Sequence, residues 1–188
     1  FDKTGKVQQP SDMLYKKNVL AFRGSFRPIT YAGFDMLKKS YKLFKRDEDY
    51  DKFKTVSLCE ITLNNLVVNE GHIDERDILE KYYTDLNGGI LEAFGRLFVH
   101  NMKMYVYPAL IKNTEKLLTS KNIKLKADIQ HLYNYLQETR KIIDIENARK
   151  ETLHIFSHQV LEMIKNGEEG WEELVPNYIW QTIKEKQI

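Results

Sequence analysis

The sequence predicts an α/β fold: a small, mostly parallel sheet with flanking helices and a helical carboxyl-terminal region. Three observations carry this. Asn18-Val19-Leu20-Ala21-Phe22-Arg23 is a short apolar run ending at Gly24, the pattern of a strand buried on both faces. Beyond the loop that follows, Phe34, Leu37, Tyr41 and Phe44 recur at helical spacing, so the strand passes through a turn into a helix over residues 34–45. In the carboxyl half, Ile129, Leu132, Tyr133 and Leu136, then Leu153, Phe156, Val160 and Ile164, repeat the helical spacing.

The remaining elements follow in order. Residues 1–12 are polar and carry Gly5 and Pro10, which reads as an extended arm ahead of one domain over 13–188. The acidic cluster Asp47-Glu48-Asp49-Tyr50-Asp51 reads as a surface loop, and the β-branched stretch 55–63 as the second strand. Asp74 is placed to cap a short helix through residue 81. Asn87-Gly88-Gly89 is a turn feeding a helix with Ile90, Phe94 and Leu97 on one face. Met104-Tyr105-Val106-Tyr107, stopped by Pro108, is a third strand. Helices are expected over 128–140, over 151–165 with Gly167 as C-cap, and after Pro176.

Composition excludes several classes. Lys and Arg number 29 against 27 Asp and Glu, a net charge of +2, too even for a dedicated nucleic-acid binder. The single cysteine, Cys59, allows no internal disulfide and fits a reducing, cytoplasmic setting. No apolar stretch approaches the roughly 20 residues of a membrane helix, so no membrane partner is expected. The sequence leaves a homo-oligomer open.

The most specific feature is a strand, then Gly24-Ser25-Phe26-Arg27-Pro28-Ile29-Thr30, then a helix. A glycine after a strand lets backbone pass close to a phosphate, and the helix start offers free N–H groups and a positive dipole end. Arg23 and Arg27 flank the turn and suit phosphate oxygens. The simpler alternative is a tight turn that needs its glycine, with Pro28 fixing the loop. These residues resemble the opening of the nucleotidyltransferase superfamily that includes phosphopantetheine and nicotinate mononucleotide adenylyltransferases. That resemblance implies triphosphate contacts from Gly24 and Thr30. It ends at Thr30: Ala32 and Gly33 stand where the superfamily has glycine and the histidine that stabilises developing phosphoryl charge. Thr119-Ser120-Lys121-Asn122-Ile123-Lys124 is a poor echo of the second superfamily motif.

A closer resemblance spans nearly the whole chain. The stretches QQPSDMLYKKNVLAFRGSFRPIT, CEITLNNL, EKYYTDLNGGILEAFGRLF, MKMYVYP, IFSHQVLEMI and GWEELVP together are similar to a family of larger bacterial proteins. That family goes under the names nicotinate- or nicotinamide-nucleotide adenylyltransferase and, loosely, TonB-dependent receptor. Its members carry a further amino-terminal region and extra strand-and-helix segments where Ile78-Leu79-Glu80-Lys81-Tyr82 stands here. The resemblance therefore implies a larger protein with segments missing before Phe1 and near Leu79.

Other constellations have weaker claims. Tyr83-Thr84-Asp85-Leu86-Asn87-Gly88-Gly89, leading to Arg96, forms a second anion site if Asp85 holds a hydroxyl or metal and Arg96 a phosphate. The plainer reading is a capped helix start. Glu151, His154, His158 and Glu162 fall on one arc of the expected helix, a chelating spacing that reads as a solvated polar face, and no metal site is assigned there. The basic run 38–46 with its aromatics reads as a solvated helix face. Cys59 reads as a buried, inert thiol, and Glu60 and Asn64 as residues at the ligand-gathering edge of the sheet.

The expected function is a nucleotide- or phosphometabolite-binding protein. Gly24, Ser25 and Thr30 cradle phosphate, Arg23 and Arg27 neutralise it, and Glu60, Asn64 and Asp85 orient the sugar or acceptor, with Gly88, Gly89 and Arg96 as the second anion site. If the chain is an enzyme, the resemblance implies adenylyl transfer to a mononucleotide with Mg²⁺. The rival expectation is a non-catalytic interaction or scaffold protein that keeps the turn for its shape.

Overall fold

The computed structural model describes residues 2, 4–23, 26–60, 86–99, 101–111, 114, 116–123, 125 and 127–186. The strand end at 61–63 and the helix expected over 74–81 lie outside the described residues, as do His72 and His100. The chain groups into two compact units, Phe1–Leu66 with Arg149–Ile188, and Val67–Ala148, where the sequence reading has one domain. The architecture is α/β: helices alternate with short strands, and two of the three strand pairs are parallel.

In the first unit, strand β1 (Asn18–Arg23) pairs in parallel with β2 (Thr55–Glu60), in register from Asn18 beside Thr55 to Arg23 beside Glu60. The crossover contains helix α2 (Tyr31–Phe44); a shorter helix, α1 (Pro10–Leu14), precedes β1. β1 is not buried on both faces, as its apolar run suggests. Leu20 and Phe22 are buried while Val19 and Ala21 are exposed, because α2 packs on one side of the strand only.

α2 starts three residues before the first apolar position of its stripe. Thr30 is the N-cap: its Oγ1 accepts the N–H of Gly33 at 3.2 Å, and its carbonyl accepts that of Phe34 at 2.8 Å. Phe34 itself is 49 % exposed, and the positions α2 buries are Asp35 and Ser40. Both are satisfied. Ser40 donates to the carbonyl of Met36 at 2.7 Å, and the Asp35 carboxylate accepts the Arg149 N–H at 3.0 Å. At the far end of α2, Phe44 meets Tyr50 edge-on and the Tyr41 hydroxyl lies 3.4 Å from that of Tyr50. The aromatics of the basic run are therefore structural, and Lys38, Lys42, Lys45 and Arg46 are exposed.

The carboxyl segment of this unit departs most from expectation. The helix expected over 151–165 is a 3-10 turn (Lys150–Thr152), an extended Phe156, then helix α5 (Ser157–Asn166). Leu153 and Ile155 are both buried, and the Ile155 N–H closes a turn on the Thr152 carbonyl at 3.0 Å, which separates this stretch from the helix that follows. Phe156, expected in the core, is left 43 % exposed. Gly167 ends α5 in the left-handed conformation at φ 68°, as its sequence position implies. A 3-10 turn (Trp171–Leu174) and helix α6 (Asn177–Lys186) close the segment. Ile155, Val160, Trp171 and Val175 form the core here, with Tyr31 and Ala32 of α2 packed against it. Lys184 binds Glu172 at 2.6 Å and lies over the Trp171 and Trp180 rings.

In the second unit, α3 (Gly89–Leu97) precedes β3 (Met104–Val106), a hairpin of β4 (Ala109–Leu110) with β5 (Leu117–Leu118), then α4 (Ala127–Glu138) and β6 (Ile142–Asp144). β3 and β6 pair in parallel. Sequence reading places no strand at β4, β5 or β6. Instead of one sheet, the described residues form three separate pairs. Ala93, Leu136, Ile142 and Ile145 are the buried apolar residues, and the Ser120 turn is pinned by three groups. Asp144 accepts its N–H at 2.8 Å, while Tyr133 and Gln137 donate to its carbonyl at 3.0 and 2.9 Å.

The expected extended arm is instead a closed turn. The Asp2 carboxylate accepts from the Thr4 N–H and hydroxyl, the Lys6 N–H and the Gln8 amide. These bonds, led by the Thr4 hydroxyl, hold its pKa down at about 2. A depressed carboxylate stabilises its turn above the ordinary value near 3.8, and that stabilisation is lost as pH falls toward about 2. Carbon-detected NMR titration of Asp2 should give a midpoint near 2, and a midpoint near 4 would refute the turn. Asp35→Ala removes the acceptor of the part-buried Arg149 N–H and should cost about 1 kcal/mol in urea unfolding, with Asp35→Asn, which keeps an acceptor, costing less.

Candidate functional site

The parallel register sets the frame. It ends both strands of the first unit on one edge, with Arg23 and Glu60 neighbours there, and α2 begins at Tyr31, eight residues after β1 ends at Arg23. Ligands of open α/β sheets gather beyond such an edge. Gly24, Ser25, Asn64 and Asp85 lie outside the described residues. Arg23 is exposed. The chain then turns through Phe26 at φ 45°, a conformation costing roughly 1 kcal/mol for a non-glycine residue, and through a cis Arg27–Pro28 peptide. Pro28 is buried and Arg27 half-buried, so the second guanidinium is held on the turn rather than on a free loop.

Thr30 is 2 % exposed and caps α2. Its burial and cap bond account for it without a ligand. Helix geometry leaves the N–H groups of Tyr31 and Ala32 with no partner inside α2, while their side chains pack on the Trp171 core. What this edge offers an anion is therefore two guanidinium groups and a fixed helix start. Among the described residues it brings no imidazole; Ala32 and Gly33 lie in the first turn of α2, and the Gly33 N–H is bound to Thr30.

The second candidate, in the other unit, is spent internally. The Gly88 N–H donates to Glu92 at 2.8 Å, and the other oxygen of that carboxylate binds Arg96 at 2.6 Å. Gly88 is required because a Cβ there would stand 2.8 Å from the Glu92 Cβ, and Gly89 because its φ is 58°. Capping explains Gly88, Gly89 and Arg96, and the group that takes them is Glu92, which the sequence places in this helix without assigning it a role. Its signal is a Gly-x-x-x-Glu-x-x-x-Arg spacing, one helical turn at each step.

The histidines do not share a helix face. His154 precedes the start of α5 and His158 lies within it, so the four-residue spacing loses its meaning; His158 instead packs at 5.7 Å on Phe156. Among the described residues no group of three His, Cys, Asp or Glu side chains is arranged to hold a metal ion. Likewise, no helix of the described residues is long and apolar enough to cross a membrane.

Cys59, expected buried, is exposed, because β2 turns Ser57 and Cys59 outward and half-buries Val56 and Leu58. Partial burial of the sulfur still pushes its pKa above the ordinary thiol value, which keeps it protonated at neutral pH.

Comparisons with family models, with curated proteins and with solved structures return no match.

The thiol chemistry is directly measurable. Alkylation of Cys59 by iodoacetamide should be slower at pH 7 than that of a free cysteine, with a pH midpoint above it. A faster reaction would make Cys59 an activated nucleophile instead.

Proposed function

We propose that the first unit binds a phosphate-bearing small molecule, a nucleotide or phosphometabolite, beyond the carboxyl edge of β1 and β2. The observation that supports this is the strand–turn–helix unit itself. A parallel strand ends in Arg23, a tight turn carries Arg27, and the capped start of α2 follows within a few residues. The phosphate pairs with Arg23 and Arg27, and the backbone of Gly24 and Ser25 and the start of α2 complete the cradle. Glu60 and Asn64, of the same unit, orient the sugar or acceptor. Thr30 serves by fixing the helix start rather than by touching the ligand.

Adenylyl transfer, if it occurs, rests on positioning and on Mg²⁺ carried in with the nucleotide, since the superfamily's histidine has no counterpart in the turn. One observation favours the rival reading of a scaffold that keeps the turn for its shape: the side chains at the start of α2 are absorbed by the Trp171 core.

Calorimetric titration with ATP and with mononucleotides, each with Mg²⁺, separates the two. Binding that Arg23→Ala and Arg27→Ala each weaken about tenfold or more supports the phosphate reading. Absence of binding to every nucleotide, in protein whose unfolding is cooperative, overturns it.

A further inference from the structure

The sequence contains two Asn-Gly dipeptides, Asn87-Gly88 and Asn166-Gly167. An asparagine ahead of a glycine is chemically labile in water. No Cβ on the glycine hinders its backbone nitrogen from reaching the asparagine side-chain carbon. All four residues are exposed. Each pair stands at a helix end: the first opens α3, and the second closes α5. What differs between them is the group that holds the glycine N–H.

At Gly167 the backbone holds it. The Gly167 N–H donates to the Ile164 carbonyl at 3.2 Å, and the Glu168 N–H donates to the Met163 carbonyl at 2.9 Å. The Asn166 amide is itself engaged, donating to Glu168 Oε1 at 2.9 Å. These bonds belong to the helix C-terminus and open only if α5 frays. At Gly88 a single side chain serves instead. The Gly88 N–H donates to Glu92 Oε2 at 2.8 Å, and Arg96 braces the other carboxylate oxygen at 2.6 Å. The Gly89 N–H closes a turn on the Leu86 carbonyl at 2.8 Å, with Asn87 and Gly88 as its central residues. Glu92 lies in the first turn of α3, so the brace holds only while that turn is wound.

We infer that Asn87 is a site of spontaneous deamidation whose rate is set by the Glu92–Arg96 brace. In this reaction the Gly88 nitrogen gives up its proton and bonds to Asn87 Cγ. The Cγ–Nδ2 bond breaks, Nδ2 leaves as ammonia, and water then opens the cyclic imide to aspartate or isoaspartate at position 87. A nitrogen whose proton is bound to a carboxylate, inside a turn closed by its own hydrogen bond, is held away from that attack. Opening the brace frees it. Isoaspartate adds a carbon to the backbone within the Leu86–Gly89 turn, so the modification loosens the start of α3.

Peptide mapping by mass spectrometry tests this with the full chain aged at mildly alkaline pH, Asn166 serving as internal reference. Aspartate and isoaspartate should accumulate at position 87 before position 166. Glu92→Ala should speed the reaction at 87 roughly tenfold, the worth of one charge-assisted hydrogen bond. Arg96→Ala should speed it less, and Glu92→Gln, which keeps an acceptor for the Gly88 N–H, should stay near wild type. Position 166 should be unmoved in all three variants. Equal rates at 87 in wild type and Glu92→Ala overturn the inference. A slower rate in Glu92→Ala also overturns it, by making Glu92 the base that takes the proton. Acceleration shared by 87 and 166 in every variant traces the effect to lost fold and overturns it as well.

Discussion

A buried carboxylate joins the two stretches of chain that make the first unit. Asp35, one turn into α2, accepts the backbone N–H of Arg149 at the point where the chain returns from the second unit. Everything after that point takes its place from this joint. The 3-10 turn at Lys150–Thr152 brings Leu153 and Ile155 inward, and α5 and α6 close over Trp171. The same helix start that Asp35 anchors supplies Tyr31 and Ala32 to that core. A buried carboxylate is costly to leave without a donor, and this makes the joint specific as well as stabilising.

That coupling bears on the phosphate edge. The start of α2 is fixed from three sides: by Thr30 capping it, by Asp35 holding it to Arg149, and by Tyr31 and Ala32 packing behind it. A rigid helix start presents its dipole without reorganisation, which suits an anion site, and it suits an inert structural turn equally well. The two possibilities part at Arg23 and Arg27, since the phosphate reading asks both guanidinium groups to reach a ligand and the structural reading does not.

Local patterns were legible in the sequence where local physics decides. β1 begins and ends where its apolar run does, Gly167 caps α5, and Gly88-Gly89 opens α3. Several of the failures involve long-range partners. Asp35 looks like an ordinary surface carboxylate until Arg149 arrives to meet it. Leu153, Phe156, Val160 and Ile164 do fit a helical stripe, but burial of Ile155 beside Leu153 overrides that period. The strand β6 depends on its pairing with β3, and three residues are too few to announce it. At the candidate site the sequence shows the arginines as residue types, whereas Thr30, expected as a phosphate contact, is the cap of α2. That Glu92 consumes Gly88 and Arg96 was not legible, because a side chain's choice of partner is invisible in spacing alone.

The interruption of the first unit by Val67–Ala148 has a consequence for how the chain acquires its fold. During synthesis, β1, α2 and β2 leave the ribosome long before the segment that covers the start of α2. Until Arg149 and the Trp171 core are made, Asp35 has no backbone partner from that segment and Tyr31 and Ala32 face water. The intervening unit, by contrast, is continuous and can close on itself first. The loop that those two stretches must close spans the whole of that unit, so the first unit carries a closure cost that a contiguous domain escapes. Its core is complete only once residues 149–188 have been made.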